Sequence, residues 1–154
     1  MNIQTLLHDQ NRFIITSLQE FVDDCNKPLN KSRMLDISKV IEIIRFHIQL
    51  EKKYLYSILR QNPSLSPLLD KMAREHQTLL NLMDRINMSH IDEPFLIDKT
   101  NELLEKFKTH ANEDQKTFFA HACDSLSGEQ CDAMIKEINE KMTDDLLRHL
   151  TPVS

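Results

Sequence analysis

Only one glycine, Gly128, occurs in 154 residues. Sheet proteins spend glycine freely at hairpin turns and bulges, because it alone takes positive φ without a steric cost. A β-sandwich, or a doubly wound domain with a glycine-rich nucleotide turn, is therefore nearly excluded. What remains is an all-α chain. At 18.1 kDa it is sized for one domain spanning residues 1–154, able to remove roughly 70% of its unfolded surface from water.

Charge and apolar patterning narrow the class further. Hydrophobic residues make up 40% and charged residues 28%, too apolar for a disordered chain. With a net charge of −5 and a pI near 5.8, no basic surface for nucleic acid or anionic lipid is expected. The opening residues Met1-Asn2-Ile3-Gln4-Thr5 lack the basic and apolar regions of a signal peptide. No run nears the ~18 uninterrupted apolar residues of a membrane helix. Cys25, Cys123 and Cys131 form neither a CxxC nor an even framework, which suits reduced thiols and a cytoplasmic location.

Helical periodicity runs through most of the chain. A first amphipathic helix is predicted from Ile3 to about Val22, with Ile3, Leu7, Ile14, Leu18 and Phe21 on one stripe, ending at a loop over Asn26-Lys27-Pro28-Leu29-Asn30. The second carries Ile37, Val40, Ile44, Ile48, Leu55 and Ile58 and stops near Asn62-Pro63. A third runs from Ser64 to about Met88, and Ser89-His90-Ile91-Asp92-Glu93-Pro94 breaks the pattern. The fourth passes through Leu103, Leu104, Phe107 and Phe118 to about Cys123. Ser127 and Gln130 have the spacing of a capping box opening a last helix. Four long helices with short connections predict an up-down-up-down four-helix bundle with an additional C-terminal helix.

Function is to be sought where polar residues replace the expected apolar ones. Val40, Ile44, His47, Glu51 and Leu55 share one face of the second helix; Leu69, Met72, His76, Leu80 and Met83 share one on the third; Phe107, His110, Asp114 and Phe118 share one on the fourth. An ionised carboxylate in such a position needs a counter-charge or a metal. With seven histidines and 24 acidic residues, about one His-x3-acid pair is expected by chance and two are present, a weak signal by itself. The arrangement is stronger. His47-x3-Glu51 is followed by Tyr54-Leu55-Tyr56, His110-x3-Asp114 by Phe118-Phe119, and each pair follows a helix with a lone histidine, His8 or His76. Two such halves facing each other would deliver four imidazoles and two carboxylates to one centre. An i, i+4 pair stands about 6 Å apart on a helix face, so one member can bind a metal while the other bridges. Two metals would each receive two nitrogens and two oxygens. Imidazole and carboxylate without thiolate favour iron ahead of manganese, zinc or copper.

The ordered set of the His8 segment, His47–Glu51 with Tyr54-Leu55-Tyr56, Glu75-His76, and His110–Asp114 with Phe118-Phe119 resembles the hemerythrin-like HHE cation-binding family over nearly the whole chain. The resemblance implies a bundle holding two non-haem iron ions, oxo- or hydroxo-bridged, that meet O2, NO or peroxide. Three features depart from the family. Leu80 and Met72 stand where a His-x3-His on the third helix would supply the fifth histidine of oxygen carriers. Asp114 replaces the usual Glu, so its shorter arm changes the bridge or hands it to Glu113. The ligand set is closer to that of iron-cluster repair proteins, without their cysteine-bearing N-terminal domain. The expected metal ligands are thus His8, His47, Glu51, His76, His110 and Asp114. The expected function is reaction with, or sensing of, a small oxidant or NO, with an electron-donor protein as partner and no nucleic acid or membrane. Its rivals are reversible oxygen or iron binding and storage, and a metal-free helical scaffold for a protein partner. Tyr54 is expected to pack in the core and Glu75 to be an exposed helix charge, with a supporting position at the centre the alternative for each, and His121, His90 and His149 are expected away from the centre.

Overall fold

The computed structural model describes residues 3–24, 29–88, 92–113, 119 and 124–150, of which 88 and 142–150 are described in backbone only. Every regular element among them is helical. Helix α1 spans Ile3–Asp23, and α2 spans Lys31–Leu50 and continues through a π-helical turn, Glu51–Leu55, into α3, Tyr56–Arg60. A 3-10 turn, Pro63–Leu65, leads into α4, Ser66–Met88; α5 is Glu93–Glu113 and α6 is Gly128–Leu150. Residues 114–118 and 120–123, the predicted extension of the fourth helix, lie outside the described residues.

The boundaries follow from side chains that satisfy free backbone donors. Asn30, placed in a loop by sequence, caps α2: its Oδ1 accepts from Arg33 N at 2.9 Å. At the predicted stop, Asn62 Oδ1 accepts from Ser64 N at 3.2 Å. The Ser127–Gln130 capping box is formed in both directions, at 3.1 and 2.9 Å. One boundary differs. Pro94 was expected in the break, but α5 begins at Glu93, with Asp92 Oδ1 accepting from Phe95 N at 3.2 Å. A proline in the first turn forfeits no helical hydrogen bond, so it opens this helix.

Helix α1 packs against α2 and α5, and α4 against α5, α2 and α3, while α6 lies on α1. The buried apolar residues form two clusters. One contains Ile14, Ile44, Ile48, Leu79, Phe107 and Ala111; the other contains Leu7, Tyr54, Leu55, Met72, Phe119 and Met134. On each of four helices the polar residues fall at the boundary between them: Gln10 and Asn11 on α1, His47 and Glu51 around the end of α2, His76 on α4, His110 on α5. The only other buried polar residues described, Arg33 and Thr100, are satisfied by the Phe21 and Leu96 carbonyls. No helix among the described residues is long and apolar enough to cross a membrane.

Candidate metal centre

Glu51 is fully buried, and three histidine rings surround its carboxylate. His47 Nε2 lies 2.8 Å from Oε1, His76 Nε2 lies 2.6 Å from Oε2, and His110 Nε2 lies 3.7 Å from Oε2. His47, Glu51 and His110 each offer a ligand atom, all within 4.8 Å of one another, and could hold a metal ion. His76 reaches the group through the carboxylate.

The outer nitrogens explain why the inner ones converge. His47 Nδ1 donates to Gln10 Oε1 at 2.6 Å, and His110 Nδ1 donates to Glu75 Oε2 at 2.6 Å. His76 Nδ1 is hydrogen-bonded to the Tyr56 hydroxyl, whose ring lies parallel to the imidazole. Each ring is thereby fixed at Nδ1, with Nε2 turned inward. Close as they are, the Nε2–carboxylate contacts lack hydrogen-bond geometry: all three Nε2 atoms and both Glu51 oxygens are buried without a hydrogen-bond partner. A metal ion held there would accept the ring nitrogens' lone pairs and offset the charge of the carboxylate.

Burial pushes the Glu51 carboxyl up, but the pull of His47 and contacts with His110, His47 and His76 outweigh it and hold the group well below the usual carboxylate range. Burial pushes the His76 imidazole down, against the upward pull of Glu51. For Glu75, burial acts upward and is overcome by the hydrogen bond from His110, with the charges of His110 and Lys71 pulling the same way. Glu75, the outer partner of His110, has a side chain 25% exposed and lines, with His110, Thr78 and Thr109, a groove of about 370 Å3 between α4 and α5.

Of the six predicted ligands, the structure brings four together: His47, Glu51, His76 and His110. His8 is a correction. Adjacent to buried Leu7 but a 100° step around the helix, it lies on the exposed side of α1, and that helix presents Gln10 and Asn11 instead. Asp114 lies outside the described residues, as do His90 and His121. Glu113, the alternative to Asp114, pairs with Lys71 at 2.8 Å at the rim. Glu75 takes the supporting position that was its alternative, while Tyr54 packs in the core as expected. It turns toward Glu137 and Lys53, and Tyr56 reaches the centre in its place. Gln10 was the residue missed, although its signal was present: it interrupts the apolar stripe between Leu7 and Ile14.

These features define an all-helical protein with a buried His/Glu group able to hold a metal ion. No family model, curated protein or solved structure matches the chain.

Proposed function

We propose that this chain is a hemerythrin-like non-haem iron protein, a four-helix up-down-up-down bundle whose buried centre reacts with or senses O2, NO or peroxide. The closed circuit of contacts α1–α2–α4–α5 supports the bundle. The observation that carries the metal reading is the shared orientation of three rings, each bonded outward at Nδ1 and turning Nε2 toward one buried carboxylate. Their chemistry fits iron: three imidazoles and a carboxylate, without thiolate. His47, Glu51, His76 and His110 would hold the first ion, and a second would draw on Asp114. Iron bound there supplies a redox couple and an exchangeable coordination position. Around it, Phe107 lies edge-on to His47 at 6.1 Å and closes the apolar side, while the groove at Glu75 and His110 admits a small ligand.

Elemental analysis of protein made in iron-replete cells tests the proposal. Near two iron per chain is expected, and His76→Ala should lose metal and, with it, thermal stability. Wild-type protein with no bound metal, or a His76→Ala variant with undiminished iron, would overturn the reading. The first result would favour the scaffold.

A further inference from the structure

The three rings of the centre are bonded outward to three chemically different groups. His47 Nδ1 meets the amide oxygen of Gln10, His76 Nδ1 the hydroxyl of Tyr56, and His110 Nδ1 the carboxylate of Glu75 at 2.6 Å. Of these partners Glu75 alone carries a charge. Its position follows from the Glu75-His76 doublet of α4: consecutive residues stand 100° apart on a helix, so His76 turns inward while Glu75 turns to α5 and the back of His110. The contact is partly buried, so water and salt screen it incompletely. The bond from His110 and the nearby Lys71 charge keep the carboxylate ionised at neutral pH. Glu51 is the only carboxylate buried among the described residues, so no other buried acid replaces the charge of Glu75.

We propose that Glu75 is a positioning residue that sets the oxidation state the proposed iron centre favours, acting through His110 to hold ferric over ferrous ion. The inference rests on the metal reading and deepens it by assigning the charge that governs the redox couple. A ring whose Nδ1–H is held by a carboxylate is a more basic donor at Nε2 than one held by an amide or a phenol. The negative charge behind the ring also attracts a cation at Nε2, in proportion to the charge of that cation. A trivalent ion therefore gains more from Glu75 than a divalent one. Gln10 and Tyr56, being neutral, orient their rings without this preference. The couple is ferrous ion giving ferric ion and one electron, exchanged with soluble mediator dyes in the experiment below. No bond to Glu75 forms or breaks.

Glu75→Gln is nearly isosteric, keeps an oxygen for the His110 N–H and removes the charge alone. Two measurements separate charge from structure: ferrous affinity by chelator competition without oxygen, and midpoint potential by mediated redox titration. The shift in midpoint reports the change in the ratio of ferric to ferrous affinity. Ferrous affinity should fall about 10-fold and ferric affinity about 100-fold. That change in ratio raises the midpoint by about 59 mV. Tyr56→Phe, which removes a neutral partner, should weaken both ions alike and leave the ratio within about threefold of wild type. An unmoved ratio in Glu75→Gln would overturn the proposal. So would an equal shift in Tyr56→Phe, since any outer bond would then suffice. Should the glutamine variant bind no iron, Glu75→Asp, which keeps the charge, carries the test. Its ratio should stay within about threefold of wild type, and a change as large as that expected for glutamine would overturn the proposal. Wild-type protein that binds no iron would sink the metal reading itself, whereas iron-loaded wild type beside a variant of unmoved ratio sinks only the role of Glu75.

Discussion

Glu51 concentrates the chemistry of the centre. Placing one carboxylate in an apolar interior is tolerable only beside compensating positive charge, and the three rings that converge on it are arranged to hold a cation there. Those rings depend in turn on their outer bonds, so Tyr56 is a positioning residue for His76. Tyr56→Phe keeps the stacked ring and deletes the hydroxyl. We expect metal affinity to fall about 10- to 100-fold, with the helical circular dichroism unchanged; competition against a chelator measures it. At this scale the sequence was informative wherever an ionisable residue broke an apolar stripe, which is how His47, Glu51, His76 and His110 stood out. It failed for His8, because one 100° step separates the buried from the exposed side of α1. It also failed for Gln10, because an amide in a core stripe carries no charge that demands an explanation.

Tyr56 rather than Tyr54 reaches the centre because of an element, the π turn. The N–H of Tyr56 bonds to the Glu51 carbonyl, five residues back. In an α-helix five residues cover about 1.4 turns, which would swing Tyr56 away from Glu51; in a π turn they close one turn and return it to the same side. A 3.6-residue periodicity therefore loses its register through the turn, although Leu55, expected on the inward stripe, is buried, and no composition signal announces the change. A π turn is an α-helix with one residue too many, and Lys52 is exposed within it. Deleting Lys52 should restore a regular helix with Tyr56 one α-turn from Glu51. Full metal content and a thermal midpoint no lower than wild type are the expected results. Loss of metal in a folded deletion variant would show that the widened turn itself, and not merely the register it creates, is required. Elsewhere the element boundaries were legible because capping chemistry is local: Asn62 and the Ser127–Gln130 pair are readable in a few residues. Pro94 was misplaced because proline ends one helix and opens the next with equal ease.

For the whole molecule, the polar layer makes stability depend on what fills it, and acid is the simplest probe. In metal-free protein the folded state holds Glu51 well below its ordinary value of 4.5 and His76 below its ordinary value of 6.5. Both shifts have the same sign. The unfolded chain binds the proton more readily, so stability falls as pH falls. The loss begins below 6.5, where unfolded His76 protonates while the folded ring resists, and continues below 4.5 through Glu51. Protons also compete with any metal for the Nε2 atoms and the carboxylate, so binding weakens over the same range. A ligand held at a thousandfold above its dissociation constant stabilises by about 4 kcal/mol, and that increment must shrink as the constant rises. Thermal midpoints of iron-loaded and chelated protein should therefore lie far apart at pH 8 and approach each other as the pH falls toward 4.5. His8→Ala should leave both curves in place, since that ring stands outside the layer. Two curves that stay parallel across the range would mean that the metal does not sit among these four side chains, whatever the iron content of the protein.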